Sequence, residues 1–276
     1  MQVLLLDILV IVESILLLII SVNLFSKAKN LTKLKNYEEA FIKAQAEEKS
    51  KQGDFLPMLV HELRAPLSVI RGAADLLIKS TGDLNAEQIH TLLNQIKTSS
   101  SGLLKMVGDI LDVSKMEGGK FQINKTFGVI EDVLREECSY FESLAKVKKI
   151  SLNCPNAEDI PSFSFDPDRI KQVLSNLLSN AIKFTHEGGE VFVTAKKDDG
   201  VIKFEVRDTG VGIPDKDKPL LFQKFFQASN QDGVTEKGTG LGLVIAKGIV
   251  EAHGGKIWVE NNKPKGCKFL FVLPMK

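Results

Sequence analysis

His61 and Glu62 are adjacent residues whose types together suit the acceptance of a phosphoryl group. One nitrogen of an imidazole can attack phosphorus while a neighbouring carboxylate holds the tautomer and takes the proton from the other nitrogen. Arg64 offers a positive charge for phosphate, and Pro66 removes one helix hydrogen bond and so loosens the helix around His61. A lone histidine on a helix is usually an ordinary surface residue. The hypothesis of a nucleophilic His61 therefore depends on what the rest of the chain supplies.

Asn176, Asn180 and Lys183 are spaced by steps of four and three, which places their side chains on one face of a helix. An amide oxygen on that face can bind Mg²⁺, and an ammonium can contact phosphate. Asp208 ends a predicted strand immediately before a glycine turn, where a buried carboxylate could accept a hydrogen bond from an adenine amino group. The same sequence around Asp208 is also typical of an ordinary turn, because Asp and Gly dominate turns.

A second glycine-rich segment, Gly238 to Gly242, lets backbone amides approach a phosphate closely. The helix predicted to begin near Leu241 would direct its positive N-terminal end at the same group. This pattern indicates a phosphate cradle without a Walker lysine motif. Residues 214–237, which are polar and surround a cluster of phenylalanines, are predicted to form a mobile lid over a nucleotide. Within that lid, Lys224 either contacts the γ-phosphate or, as is commoner for a lysine, is simply solvated.

The elements that must position these residues begin with a helical hairpin. Apolar and small residues alternate at steps of four and three from Leu56 to Leu77, and again from Ile89 to Ser114, which is a coiled-coil seam. A turn-like stretch separates the two runs, and Gly118 ends the second. Further leucines widen both apolar faces beyond what one hairpin can bury, so two hairpins are expected to pair in a dimeric four-helix bundle. A purely structural dimerisation bundle would show the same pattern.

From Phe121 onward, short runs of alternating hydrophobicity are interspersed with helical patterns. Six strands are predicted, in the stretches KKISLN, PSFSF, EVFVTAKK, VIKFEVRD, KIWVE and KFLFVL. Helices are predicted over residues 129–145, 167–184 and 241–253. This order is typical of an α/β layer with the helices on one face of the sheet.

Residues 3–25 form an apolar run that, as a helix, can cross a hydrocarbon core of about 30 Å once. A cleaved signal peptide is the alternative, but no basic residue precedes the run and no clear cleavage pattern follows it. Lysines cluster just after the run, which by the positive-inside bias predicts a single-pass cell-membrane protein with a cytoplasmic catalytic part. Glu13 is either a tolerated acid in a strongly apolar helix or a functional residue that is protonated, pairs across a helix dimer, or contacts another membrane protein that supplies the signal. A transmembrane anchor is thus predicted over residues 1–26 and a helical signalling linker over 27–53.

The net charge of +1 over 276 residues provides no electrostatic footprint for nucleic acid, so nucleic-acid binding is not expected. Cys138, Cys154 and Cys267 are far apart and show neither metal-ligand spacing nor a CxxC pair. These cysteines are expected to be reduced packing residues.

Five motifs, in order, resemble those of the sensor histidine kinases of two-component systems. The segment HELRAPL at 61–67 resembles their H box, and NLLSNAIKFT at 176–185 resembles their N box. The segments DTGVGIP at 208–214 and GTGLGL at 238–243 resemble the two glycine boxes, and FQKFF at 222–226 looks like the F box. One glycine pair alone is weak evidence, but five motifs in the family's order form a specific signal.

The resemblance implies an α+β multidomain fold: a transmembrane helix, a helical hairpin (54–118) forming a dimeric four-helix bundle, and a Bergerat-type α/β sandwich (119–276) that binds ATP. It implies that a homodimer uses ATP and Mg²⁺ to phosphorylate His61 and passes the phosphoryl group to an aspartate on the receiver domain of a separate response regulator. It implies catalytic roles for His61 and Glu62, a Mg²⁺ ligand at Asn180, and ATP contacts from Asn176, Asn180, Lys183, Asp208, Gly210, Gly212, Lys224, Gly238, Thr239, Gly240, Leu241 and Gly242.

Two alternatives remain beside this reading. The gyrase, Hsp90 and MutL ATPases share the fold, but they carry a water-activating glutamate where Asn176 stands, and an amide cannot act as that general base. A degenerate kinase that binds nucleotide and regulates a partner by dimerising is the non-enzymatic alternative. The chain departs from the family at Ala65, where relatives that also dephosphorylate their partner have Thr or Asn, so weak phosphatase activity is expected. It also departs at Gln227, where many relatives have an arginine.

Overall fold

The computed structural model describes residues 60, 62–79, 84–154, 160–229 and 238–275. The chain divides into two compact units, Met1–Arg64 and Ala65–Lys276. The described residues of the first unit are helical, and they include Glu62. The predicted anchor (1–26), the linker (27–53) and His61 lie outside the described residues, so these three stay predictions. Within the part of the chain that the structure describes, no helix is long and apolar enough to cross a membrane.

Both helices expected from the seam pattern are present. Helix α1 covers residues 62–79 and helix α2 covers Ala86–Glu117. Asn85 begins α2 with a capping box, because its side chain accepts from the amide of Gln88 at 2.8 Å and its own amide donates to the Gln88 side chain at 2.9 Å. Gly118 follows the last turn, where the sequence predicts the end of the hairpin.

The apolar faces of the hairpin are open in the single chain. Leu67, Leu76, Leu93 and Leu111 are each about half exposed, and Leu104 is 74% exposed. Burying one leucine is worth roughly 1.5–3 kcal/mol, so a row of such side chains favours association with further helices. These exposed rows of leucines are therefore suited to the pairing of two hairpins.

Six strands predicted from the sequence are present, together with one that the sequence did not reveal. Their bounds are β2 Ser151–Asn153, β3 Phe163–Phe165, β4 Glu190–Asp198, β5 Val201–Asp208, β6 Lys256–Asn261 and β7 Cys267–Pro274. The additional strand, β1 (Thr126–Gly128), pairs antiparallel with β3 in a separate two-stranded sheet. The main sheet has the order β2-β4-β5-β7-β6, in which β2 and β4 are parallel and the other pairs are antiparallel.

Three helices complete the α/β layer: α3 (Ile130–Val147), α4 (Pro167–Phe184) and α5 (Gly242–Ala252). Their apolar faces and alternate residues of the strands form one core, in which the rings of Phe204 on β5 and Phe271 on β7 stack at 4.2 Å. The α/β layer predicted for this half of the chain is confirmed.

The N-terminus of α4 is fixed by Asp166, whose side chain accepts from the Arg169 amide at 3.1 Å. Its other carboxylate oxygen accepts from the amide of Asn124, which ties the segment after α2 to α4. The Arg169 guanidinium in turn donates to Asp112 on α2 at 2.6 Å and lies 4.8 Å from the centre of the Phe121 ring. The end of α2 is thereby held against the helix that carries Asn176 and Asn180.

The expectation of three reduced cysteines is wrong for two of them. Cys138 on α3 and Cys154, which follows β2, are joined by a disulfide, whereas Cys267 is free and buried. The two cysteines are sixteen residues apart, and this spacing does not match a short motif, such as CxxC, that would indicate a bonded pair from sequence alone. The two sulfurs meet because α3 folds back onto the strand that follows it.

Candidate nucleotide-binding site

Helix α4 presents the three polar residues that the sequence placed on one face. Asn176 is buried, and its amide nitrogen donates to the carbonyl oxygen of Gly242 at 3.0 Å. Asn180 and Lys183 lie on following turns and are half-buried. Apolar neighbours on the opposite face of α4, among them Leu174 and Leu178, are fully buried. This division fixes the rotation of the helix, so the polar residues point away from the core.

Asp208 lies at the end of β5 and is almost completely buried. One carboxylate oxygen accepts from the amides of Gly210 at 2.9 Å and Cys267 at 3.2 Å. The other oxygen accepts from the Cys267 thiol at 2.8 Å. Burial raises the pKa of Asp208, and the three hydrogen bonds oppose that rise. The carboxylate is thus held in one orientation, with acceptor capacity left on the oxygen that the thiol contacts.

The first glycine box requires glycine for two different reasons. A Cβ atom at Gly210 would lie 2.3 Å from the carbonyl oxygen of Phe184, the last residue of α4. Gly212 has φ +72°, a left-handed conformation that disfavours side chains, and its Cβ would lie 3.3 Å from the oxygen of Gly266. The turn after Asp208 therefore packs its backbone directly against the end of α4 and the start of β7.

The second glycine box runs along the polar face of α4. A Cβ at Gly238 would be 3.4 Å from the ammonium of Lys183, and one at Gly242 would be 3.3 Å from the side-chain oxygen of Asn176. Gly240 has φ +68°, and its carbonyl oxygen accepts from the amide of Phe225 at 3.1 Å. The structure thus brings the predicted N-box residues and the second glycine box together.

Thr239 and Leu241 lie between these glycines and differ in what they offer. The Thr239 hydroxyl accepts from the amide of Leu241 at 3.3 Å. The Leu241 side chain is buried in the core, so only the backbone of this residue is available to a ligand. Helix α5 begins at Gly242, and no side chain caps its first turn. Helix N-terminal amides without a side-chain cap are suited to phosphate oxygens.

Two further predicted site residues are Lys224 and Glu62. Lys224 is exposed and forms an ion pair with Glu117 at the end of α2, so its expected contact with a γ-phosphate stays a prediction. Glu62 is half-buried in the first compact unit, and its neighbour His61 lies outside the described residues.

The described part of the expected lid is held by polar contacts. Asp217 accepts from both the amide and the hydroxyl of Ser229, each at 2.8 Å. The side chain of Gln227, which replaces the arginine of many relatives, donates to the carbonyl oxygen of Gly238 at 2.6 Å. Gln227 therefore contacts the second glycine box through a neutral amide. Residues 230–237 of the expected lid lie outside the described residues.

Three residues near Asp208 were not found from the sequence. Cys267 supplies two of the hydrogen bonds to its carboxylate, and the side chain of Asn262 donates to its backbone oxygen at 2.8 Å. Gly266 has φ +101°, and a Cβ there would lie 2.0 Å from the same oxygen. A glycine before a strand is a detectable turn signal, but a cysteine inside an apolar strand carries no sign of a polar role.

An α/β layer with this carboxylate, helix face and pair of glycine turns, preceded by two helices, defines a histidine-kinase-type ATPase fold joined to a helical segment. Residues 165–276 match the family described as Histidine kinase-, DNA gyrase B-, and HSP90-like ATPase. Residues 51–119 match the His Kinase A (phospho-acceptor) domain. The chain belongs to the sensor histidine kinases of two-component systems.

Individual relatives agree with this membership. The chain is 37% identical over 227 residues to the sensory/regulatory protein RpfC of Xanthomonas campestris pv. campestris, which covers 80% of this chain and 31% of that protein. The structure of full-length ShkA in complex with AMPPNP matches 79% of this chain and 45% of that one, at 31% identity and a TM-score of 0.59. The structure of ThkA with the response regulator TrrA matches 83% of this chain and 64% of that one, at 27% identity and a TM-score of 0.58. The chain thus spans about a third of the curated relative it matches.

Proposed function

We propose that the chain is a homodimeric, membrane-anchored histidine kinase that moves the γ-phosphate of ATP to His61 and then to an aspartate of a separate response regulator. The observation that carries the proposal is the convergence of three parts of the described site. The polar face of α4 lies along the second glycine box. The oriented carboxylate of Asp208 accepts a hydrogen bond from Gly210 in the first glycine box. These parts match what a metal-bound nucleotide presents: an amino-bearing base, the phosphates and the metal ion on them.

Asp208 is assigned to the adenine amino group, because its oriented oxygens can only accept hydrogen bonds when the carboxylate is ionised. The backbone of Gly238 to Gly242 and the first amides of α5 are assigned to the phosphates, and Lys183 lies within reach of that segment. AMPPNP, with which ShkA was solved, is an analogue of ATP.

Mg²⁺ fits the donor set at Asn180, because a side-chain amide oxygen is a hard ligand, and Mg²⁺ in nucleotide sites is bound by one or two protein groups plus phosphates. Asn180 is half-buried on the same helix face as Asn176 and Lys183, the face along which the phosphates are proposed to lie. When bound, the ion neutralises charge on the phosphates. Asn180 would hold the ion, while Lys183 supplies a second positive charge nearby.

Phosphoryl transfer is favoured over ATP hydrolysis by the chemistry of Asn176. Its amide nitrogen already donates to Gly242, and an amide has no basic group with which to activate water. In the proposed transfer His61 is the nucleophile, and Glu62 holds its tautomer and accepts its proton. The solved complex of ThkA with a response regulator supports an aspartate-bearing partner in trans. The open apolar faces of the hairpin support a homodimer.

The membrane anchor is proposed from the sequence alone. Residues 1–26 have the length and hydropathy of one span, and the lysines that follow favour a cytoplasmic catalytic part. Glu13 within the span is proposed to contact another membrane protein that supplies the signal. A Glu13→Gln chain whose kinase output in membranes equals that of wild type would contradict this role.

Incubation of the full chain with Mg²⁺ and ATP labelled on the γ-phosphate tests the proposed transfer. We expect label on the protein that survives base and is lost in acid, which is the stability of phosphohistidine. His61→Gln is expected to abolish labelling, whereas the matched control His90→Gln, which changes an exposed histidine of α2, is expected to keep it. Release of free phosphate without protein label would favour the ATPase, and nucleotide binding without either would favour the degenerate regulator.

Cys267→Val is expected to weaken ATP binding several-fold near neutral pH and to change its pH dependence. Burial raises the pKa of Asp208, and the donors at Cys267 and Gly210 lower it. Because only the ionised carboxylate accepts from adenine, affinity falls as the pH drops through this pKa. Loss of the thiol donor raises the pKa further, so the fall begins at a higher pH in the valine variant.

The ATP affinity of each variant, measured as a function of pH, distinguishes this positioning role from packing. Cys267→Ser retains a donor and is expected to restore most of the affinity and the wild-type pH profile. A serine variant as impaired as the valine variant would show that Cys267 acts through its volume alone.

A further inference from the structure

The Cys138–Cys154 pair lies outside every part of the site described above. Cys138 is on α3, and Cys154 immediately follows β2, an edge strand of the main sheet. Their Cα atoms are 6.4 Å apart, within the separation that a disulfide spans. A disulfide in a chain whose catalytic part is expected in the reducing cytoplasm is typically transient and responsive to oxidants rather than permanent.

The two cysteines differ in solvent exposure, and this difference determines which thiol reacts first. Cys138 is buried against the core, whereas Cys154 is half-buried. A small reagent therefore meets the sulfur of Cys154 first, and Cys138 is positioned to act second. Such an arrangement of one accessible and one buried thiol resembles an attacking and a resolving cysteine.

We propose that Cys138 and Cys154 form a reversible thiol–disulfide modification site, whose oxidation fixes α3 to the edge strand β2 and tightens the nucleotide pocket. The oxidant is a low-molecular-weight disulfide. The Cys154 thiolate attacks one of its sulfurs and releases one small thiol; the Cys138 thiolate then attacks Cys154 and releases the second. Two protein thiols become one disulfide, one small disulfide becomes two small thiols, and the protons pass from the protein thiols to the released ones.

Hydrogen bonds connect the edge strand to the pocket. The amide of Ser151 on β2 donates to the carbonyl of Gly189 at 2.9 Å, which joins β2 to the turn before β4. The first residue of β4, Glu190, donates its amide to the hydroxyl of Thr209 at 2.9 Å. Thr209 directly follows Asp208, so the disulfide is connected to the carboxylate proposed to bind adenine through strand β2, the turn before β4 and the hydroxyl of Thr209.

Helix α3 provides a second connection, since it packs on α4 and its buried residues, which include Phe141 and Ala145, belong to the same core. A disulfide between α3 and β2 restricts both neighbours of the pocket before the nucleotide arrives. In the oxidised form α3 and β2 are already ordered, so nucleotide binding loses less conformational entropy. The oxidised form is therefore expected to bind nucleotide more tightly. The coupling to the pocket rests on the proposed nucleotide binding, whereas the modification site itself does not.

Thiol counting on the full chain tests the site independently of nucleotide. The protein is equilibrated with a series of ratios of reduced to oxidised glutathione, quenched in acid, denatured and labelled with a polyethylene-glycol maleimide. Three labels are expected on the reduced chain and one on the oxidised chain, with both thiols lost in a single step. Cys138→Ser and Cys154→Ser are each expected to abolish that step, and Cys267→Ser to preserve it. Gradual loss of one thiol at a time, or a bond between two chains, would overturn the site.

Affinity for a fluorescent ATP analogue and the melting temperature, measured on both forms, test the consequence. The oxidised chain is expected to melt at a higher temperature, because the disulfide restricts the unfolded chain, and to bind the analogue several-fold more tightly than the reduced chain. Both differences should vanish in Cys154→Ser. Equal affinities of the two wild-type forms would overturn the coupling to the pocket. Loss of binding in both forms alike, with the thiol step intact, would count instead against the nucleotide assignment.

Discussion

Asp208→Asn is expected to abolish useful ATP binding, with an affinity about a hundredfold or more below that of the wild-type chain. In the wild-type site one carboxylate oxygen accepts from the amides of Gly210 and Cys267, and the other accepts from the Cys267 thiol and, in the proposed complex, from adenine. An asparagine of the same shape would keep its carbonyl oxygen on the two amides. Its amide nitrogen would then face the adenine amino group, donor against donor.

The size of the effect follows from two contributions. A hydrogen bond to a charged group is worth roughly 1.5–3 kcal/mol, and a buried donor left unpaired costs roughly 1–3 kcal/mol more. The stability of the fold is not expected to decrease. Because burial raises the pKa of Asp208, its ionised form opposes folding above that pKa, and a neutral amide removes this opposition. The variant should therefore melt at a temperature no lower than that of the wild-type chain.

Equilibrium binding of a fluorescent ATP analogue and autophosphorylation by labelled ATP measure the loss. Asp198→Asn is the matched control, because Asp198 is an exposed residue at the end of β4 and the change in charge is identical. The control is expected to retain both activities. Wild-type affinity in a folded Asp208→Asn chain would remove Asp208 from the adenine site.

The elements that position this site could be predicted because each is governed by local patterns. Helix α4 runs over Pro167–Phe184, as the sequence predicts, because a proline and a capping Asp166 precede a regular apolar stripe. Asn176 and Asn180 are four residues apart, so the helix places both side chains on its polar face. Strand β5 is equally local, since alternate residues of its sequence are buried.

The features that the sequence did not reveal are those in which distant segments meet. Strand β1 lies outside the runs of alternating hydrophobicity that indicated the equally short strands β2 and β3, and it is defined by its pairing with β3. The role of Cys267 depends on a pairing that brings the start of β7 beside the end of β5. The ion pair of Lys224 with Glu117 joins the expected lid to α2, and no local pattern indicates it. A single sequence reports periodicity and composition, whereas these contacts are decided by packing.

Gly240→Ala is expected to reduce ATP affinity by about tenfold to a hundredfold, and to destabilise the protein more than an ordinary glycine substitution does. Gly240 has φ +68°, where an alanine costs about 1–2 kcal/mol. In addition, its Cβ would lie 2.6 Å from Cα and 2.7 Å from the carbonyl carbon of Phe225. Such contacts are too short for any rotamer change to relieve, since both partners are backbone atoms.

Relief of that overlap requires the second glycine box and the segment around Phe225 to separate. Separation breaks the hydrogen bond from the Phe225 amide to the Gly240 carbonyl and moves Gly238 and Gly242 relative to Lys183 and Asn176. The backbone that is proposed to bind the phosphates is then displaced, while the carboxylate of Asp208 stays in place. The expected signature is therefore a large loss of affinity for ATP with a much smaller loss for adenosine, measured by competition against a fluorescent analogue.

Gly200→Ala separates backbone strain from steric overlap. Gly200, in the turn between β4 and β5, has φ +79°, so an alanine carries a similar conformational cost, but no atom lies within 4 Å of the added Cβ. This control is expected to lower the melting temperature slightly and to leave ATP affinity unchanged. If Gly200→Ala and Gly240→Ala had the same effect on affinity, strain alone would explain both, and the contact with Phe225 would have no part in shaping the phosphate site. A selective loss in Gly240→Ala would instead mean that glycine is required there because two backbone segments must touch for the phosphate-binding amides to be correctly placed.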